Sequence, residues 1–138
     1  MIHLIYVSSA TRQMSEEELI YLLSQSRDRN ERQNVTGILL YAGGNFIQIL
    51  EGEEKDVEEI YQSILNDDRN RGNILIEKEN IKQRDFPDWS MGFEHLTNQK
   101  KTTIKGYSEF LEREMEPEEI AKNSNEIIEL LYGFKKYV

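Results

Sequence analysis

A chain of 138 residues is long enough to bury one real core and short of two typical domains, so a single compact unit is the expectation. Its 17 basic and 26 acidic residues leave a formal charge of −9, with acids spread over Glu16–Glu18, Glu51–Glu59 and Glu112–Glu119; that surface repels phosphate backbones and argues against nucleic-acid or anionic-membrane partners. Without cysteine there are no disulfides, thiolate metal sites or thiol nucleophiles, and a start of MIHLIYVSSA, with no run near ~20 apolar residues, reads as cytoplasmic rather than exported or membrane-spanning.

Ile2–Ser8 is rich in apolar, β-branched and aromatic residues and predicts a first strand, with Ile2, Leu4, Tyr6 and Ser8 on one face. After a polar loop, Ser9–Met14, the run Ser15-Glu16-Glu17-Glu18 forms a capping box and opens a helix. Leu19, Leu22, Leu23 and Ser26 make its inner stripe, and the polar run Arg27–Asn34 is expected to end it. Val35–Tyr41 and Asn45–Glu51 are extended runs joined by Ala42-Gly43-Gly44, whose glycines suit a tight hairpin.

Gln48 is the oddity of that hairpin, an amide set between Phe46-Ile47 and Ile49-Leu50. If the strand is central the amide needs partners, supplied either by the core or by a ligand bearing carbonyls and ring nitrogens. Glu53–Asp67 is a second amphipathic helix, with Val57, Ile60, Tyr61, Ile64 and Leu65 on one side. Asp68–Gly72 reads as a turn, Asn73–Gln83 as a fourth strand, and Phe86–Leu96 as a fifth.

The order βαββαββ predicts an α+β, ferredoxin-like sheet with both helices on one face. The first and third strands are expected as parallel central neighbours, placing Tyr6 beside Gln48 on the helix side, in an apolar slot walled by Leu22 and Ile64 that admits a flat aromatic ligand. Beyond residue 97, helical stripes at Ile104, Tyr107, Phe110 and Leu111, and at Ile120, Ile127, Leu131 and Phe134, predict C-terminal helices on the free face of the sheet. Residues 1–96 are thus expected as the ligand-binding unit and 97–138 as a helical extension of it. His3 and His95 lie far apart in sequence and suggest no metal site.

Five ordered pieces carry a family likeness: LIYVSSAT at Leu4–Thr11, SRDRN at Ser26–Asn30, TGILLY at Thr36–Tyr41, FIQILEG at Phe46–Gly52 and FPDWSMGF at Phe86–Phe93. Together they resemble the BLUF family, blue-light sensors that use FAD, over about Leu4 to Phe93. The resemblance implies an isoalloxazine ring between the two helices, with Tyr6 as the photoactive tyrosine and Gln48 as the switching glutamine. It implies that Asn30 bonds the carbonyl and imide edge, that Leu22 and Ile64 sandwich the ring, and that Trp89 and Met91 relay the signal, Met91 also lying near the flavin. Arg29 either reaches the ring's other carbonyl or is solvated, and Asp67 is a candidate for the ribityl chain. Where the family often has Arg-His after the second helix, this chain has Arg69-Asn70.

The function so implied is light-gated binding without catalysis. No stretch after residue 96 is long enough for a cyclase or phosphodiesterase domain, so output is expected through a separate effector or through self-association into dimers or rings. Two alternatives share the fold. An acylphosphatase-like hydrolase needs a glycine-rich anion loop after the first strand, whereas Ser8-Ser9-Ala10-Thr11-Arg12 offers an arginine and no glycine; a light-independent small-ligand regulatory domain needs only the slot.

Overall fold

The computed structural model describes residues 1–88, 92–95, 118, 122 and 124–133. β1 (Ile2–Ala10), β2 (Thr36–Ala42), β3 (Asn45–Gly52), β4 (Asn70–Asn80) and β5 (Gly92–His95) form one sheet in the order β4-β1-β3-β2-β5. Helices α1 (Glu16–Arg32) and α2 (Glu54–Leu65) follow β1 and β3, and α3 (Ser124–Gly133) lies near the C-terminus. This is the α+β, ferredoxin-like plan that the element order predicts, with a fifth strand added parallel to β2.

One expectation about the sheet is corrected. β1 and β3 are antiparallel, not parallel, with Tyr6 opposite Gln48 and Leu4 opposite Leu50. The hairpin turns β3 against β2, while the crossover through α1 brings β2 back in the direction of β1 with room for one strand between them. β3 fills that gap and opposes both neighbours. The pairing of Tyr6 with Gln48 survives because side-chain parity is the same in either direction.

Every residue of β1 and β3 is buried, as a sheet covered on both faces requires. Ile2, Leu4, Tyr6, Leu39, Phe46 and Leu50 pack with Leu19 and Leu23 of α1 and Val57, Ile60 and Ile64 of α2 in one core cluster. Ile5, Val7, Ile47 and Ile49, of opposite parity, are as deeply buried on the other face. There α3 contributes a fully buried Leu131, and burial, with the nearby carboxyls of Asp85, Glu77 and Glu51, pushes the Tyr132 phenol above its ordinary value. The described part of the C-terminal region therefore lies on the face away from α1 and α2; the helical stripe read at Ile104, Tyr107, Phe110 and Leu111 falls outside the described residues.

Boundaries shift for identifiable reasons. The capping box at Ser15 forms with both of its bonds, Glu18 N–H to Ser15 Oγ and Ser15 N–H to Glu18 Oε1. α1 then continues through the polar run to Arg32, since Arg and Glu are good helix formers and basic Arg29 and Arg32 suit a helix C-terminus. Buried Ser26 and Asn30 extend its inner stripe with polar residues, and Asn34, at φ 53°, turns the chain out. β4 begins at Asn70 because Gly72, at φ 60°, is absorbed as a bulge where the register against β1 shifts between Val7 and Ser9. β5 is confined to Gly92–His95, and Trp89 and Met91 lie outside the described residues.

Candidate functional site

The parity of three strands and the seating of two helices create the slot. It is lined by Tyr6, Ser8, Leu39, Phe46 and Gln48 from the sheet, by Leu22, Gln25, Ser26 and Arg29 from α1, and by Ile64, Asp67, Arg69 and Asn70 at the end of α2 and the turn beyond. At its floor the Tyr6 hydroxyl donates a short hydrogen bond to Gln48 Oε1, both groups being buried. Two residues along β1, the Ser8 hydroxyl is buried in the same lining and has no hydrogen-bond partner. A buried hydroxyl without a partner is uncommon, and in a cavity wall it points to a ligand acceptor or donor.

Charges gather at the mouth. Arg69 closes an ion pair on Asp67 at 2.5 Å and reaches Gln25 Oε1 of α1 at 2.7 Å, tying the two sides of the opening together. The Arg69 guanidinium holds the Asp67 carboxyl below its usual range. Asn70 Nδ2 donates to the carbonyls of Ile64 and Asp67, at 3.1 and 3.0 Å, and so ends α2. Burial pushes the Tyr6 phenol far above its ordinary value, with the Arg29 charge pulling the other way, so Tyr6 is a neutral donor at any physiological pH. Its ring packs against Tyr61 at 5.5 Å between centroids.

The structure thus brings together Tyr6, Leu22, Arg29, Gln48, Ile64 and Asp67 from the residues singled out in sequence. Arg29 lines the slot rather than standing free in solvent, and burial lowers its pKa. Asn30 is fully buried but is not among the slot-lining residues; its carbonyl accepts from Val35 N–H at 2.9 Å and its Oδ1 from Arg29 Nε at 3.5 Å. Sequence reading did not single out Ser8, Gln25, Ser26, Leu39, Phe46, Arg69 or Asn70 as lining groups. Ser8 shares its face with Tyr6, so strand parity alone could have found it.

Other readings are weakened by what the side chains touch. Arg12, the arginine an anion-binding loop would need, is bonded to Glu18 on the surface. His3 does have acidic company, since Glu77 Oε2 lies 2.6 Å from its Nε2 and the ligand atoms of His3, Glu77 and Glu79 fall within 4.8 Å of one another. Sequence could not show this, because antiparallel pairing of β1 with β4 is what sets His3 opposite Glu79. The nitrogen is already engaged by Glu77, as a paired buried histidine would be.

An apolar cleft with a polar floor fits a flavin, whose tricyclic ring carries a hydrocarbon end and an edge of carbonyls and nitrogens. The slot has a cavity volume of about 60 Å³, below the roughly 300 Å³ or more of a small-molecule site. Comparison with known proteins points the same way. The family described as BLUF, sensors of blue-light using FAD, matches residues 1–92. The photoactivated adenylate cyclase subunit beta-like protein FB of Euglena gracilis is 33% identical over 89 residues, 64% of this chain and 10% of its own length. The blue light- and temperature-regulated antirepressor BluF of Escherichia coli (strain K12) is 39% identical over 66 residues, 48% of this chain and 16% of that protein. The chain therefore spans a small part of the length of these relatives. The dark-state structure of BlrB, a BLUF protein, superposes with a TM-score of 0.79 over 99% of this chain and 96% of that one, and at 24% identity it shows the shared fold.

Proposed function

This chain belongs to the BLUF family of blue-light sensors that use FAD, and on that premise we propose that it responds to blue light through FAD held non-covalently between α1 and α2, with Tyr6 and Gln48 as the switching pair. The family is described as sensors of blue light. Leu22 and Ile64 hold the ring faces, Arg29 and Asn30 serve its carbonyl and imide edge, and Asp67 serves the ribityl chain. Ser8 supplies a further hydroxyl at the floor.

A bound flavin supplies the absorption of blue light and, once excited, an oxidising centre beside the phenol. Tyr6 is the group that can release a proton toward Gln48 and take it back, which leaves nothing consumed; phenylalanine at that position holds no such proton. The two ends of the Gln48 amide have nearly the same shape and opposite hydrogen-bonding sense, so rotation or tautomerisation exchanges donor for acceptor at the floor of the slot. In a buried site every neighbour must then re-pair, and the strand carrying the amide is biased with it. Trp89 and Met91, which precede β5 in the chain, are proposed to pass this change on.

Output goes to a separate effector or to a second copy of the chain. The cyclase and antirepressor relatives support regulation of an effector. The observation that carries the reading is the buried Tyr6–Gln48 hydrogen bond in a cleft that also holds an unpartnered hydroxyl. Its test is an absorption spectrum of the purified, flavin-loaded chain before and after blue light. A small reversible red shift, abolished by Tyr6→Phe and by Gln48→Leu, is expected. Protein that takes up no flavin, or takes it up and shows no shift, refutes the proposal.

A further inference from the structure

The Tyr6 phenol is held at its oxygen by Gln48, and that bond by itself leaves the ring free to turn. The oxygen lies on the axis of the Cβ–Cγ bond, about which an aromatic ring rotates in a broad, two-fold well, so turning the ring does not lengthen the hydrogen bond. Turning does redirect the hydroxyl proton, because a phenol O–H prefers the plane of its ring. A contact at the side of the ring is needed to set that plane.

Tyr61 of α2 supplies one. Its ring packs against the Tyr6 ring with centroids 5.5 Å apart and planes tilted by 43°, so rotation of either ring drives its edge into the other. Tyr61 does not line the slot; it borders the groove between α2 and β4 with Leu4 and Leu75, and its influence on a bound flavin passes through Tyr6. Burial raises its phenol above the ordinary value, which keeps it a neutral donor.

The Tyr61 ring is anchored in turn. Its hydroxyl donates to Asn73 Oδ1 at 2.6 Å, reaching from α2 to the edge strand β4. The bulge places that acceptor: between the pairs Val7–Ile74 and Ser9–Arg71, β4 sets two residues, Gly72 and Asn73, opposite the single Ser8, and Gly72 takes φ 60°. Asn73 Nδ2 is buried without a partner, so the bond from Tyr61 is what orients the amide.

We infer that Tyr61 is a positioning residue for the photochemistry: anchored by Asn73, it fixes the plane of the Tyr6 ring and so aims the Tyr6 proton at Gln48 Oε1. The inference rests on the light-sensing reading above and adds the residue that keeps its central proton in line. Because hydrogen bonds weaken steeply with misalignment, a ring out of plane interrupts the path from Tyr6 to Gln48 without loosening the flavin.

Two readouts on the flavin-loaded full chain test it. One is the number of molecules converted to the red-shifted form per photon absorbed; the other is rotation of the Tyr6 ring, followed by NMR of ring-labelled tyrosine with Tyr6→Phe to assign the signal. In the wild type the two sides of the Tyr6 ring give separate signals, the mark of a slowly turning ring. Tyr61→Leu, which keeps apolar bulk and removes the flat ring, merges them and cuts conversion per photon roughly tenfold, as small misplacements of reacting groups do, while bound flavin and the size of the shift in converted molecules hold. Tyr61→Phe and Asn73→Ala, which release the anchor and leave both rings, act alike in the same direction with a smaller loss. Wild-type conversion and a slowly turning Tyr6 in Tyr61→Leu overturn the inference, and so does a loss of conversion that only follows loss of bound flavin. If Tyr61→Leu does not fold, Tyr61→Phe and Asn73→Ala decide, and wild-type conversion in both overturns it. A wild type that binds flavin and shows no shift fails the light-sensing reading instead. Ring rotation in wild type and Tyr61→Leu then still decides whether Tyr61 holds Tyr6, and a Tyr6 ring already turning fast in the wild type refutes that.

Discussion

On the helix side of β3, the Gln48 amide takes its bond from the Tyr6 phenol and shares a cleft with a Ser8 hydroxyl that has no partner. On the other side of the same strand, both oxygens of Glu51 are taken by the backbone of the β4–β5 connector, and Arg84 closes the arrangement around them. Both faces bury polar groups that hydrocarbon would replace at lower cost; among the described residues the helix side leaves the Ser8 hydroxyl without a partner in a cavity wall, while on the other side His3 Nδ1 lacks a partner outside that cavity. The contrast separates two uses of buried polarity. Groups completed by the protein hold elements in place, whereas a group left incomplete at a cavity wall awaits a ligand.

Substitution on each face sharpens or breaks that distinction. The largest expected loss of stability is for Glu51→Ala, which strands the Asp85 and Phe86 N–H groups and should cost roughly 2–4 kcal/mol in chemical denaturation. Flavin-loaded protein that survives should keep its absorption shift, and loss of the shift with little loss of stability would mean the two faces are not distinct in kind. Ile64→Ala, at the slot wall, should cost about 2 kcal/mol, near the low end for such truncations because the residue edges a cleft able to adjust. Its larger consequence should be weaker flavin retention, measured by dialysis against buffer.

A smaller effect is carried by pH. Burial raises the Glu51 carboxyl above its ordinary value of 4.5, against the pull of the two backbone N–H groups. A raised carboxyl holds its proton longer in the folded than in the unfolded chain. Its contribution is therefore fully present below pH 4.5 and is lost as pH rises through the folded value. Urea denaturation of Glu51→Gln should lack that declining limb above pH 4.5, while an unchanged pH profile would place the titration elsewhere. Smallest of all, Ser8→Ala should leave stability unchanged or raise it by up to about 1 kcal/mol, since the lost hydroxyl had no partner, while weakening flavin binding. A clear loss of stability without flavin would show that Ser8 was structurally engaged.

Much of this arrangement was legible in the residues themselves. The alternation of faces along β1 and β3 and the capping box at Ser15 are local patterns that formed as written, and the stripe of α2 formed at Val57, Ile60 and Ile64 while Leu65, at the helix end, is exposed. Tyr6, Leu22, Gln48 and Ile64 could be brought together on paper because parity and helical spacing determine which way each one faces. The polar end of α1 was misjudged because Arg27–Asn34 lacks apolar residues, although its arginines and glutamate are good helix formers and Ser26 and Asn30 are buried on its inner side.

Sequence by itself thus determined the elements, the faces they present and the identity of the polar pair at the centre, since all of these depend on neighbours a few residues away. Only the tertiary structure decided the direction of β3 against β1 and the partners of His3 and Glu51. Those outcomes join residues dozens of positions apart. They depend on which strand fills the gap left by a crossover, a choice made by the packing of the whole sheet and by no short stretch of chain.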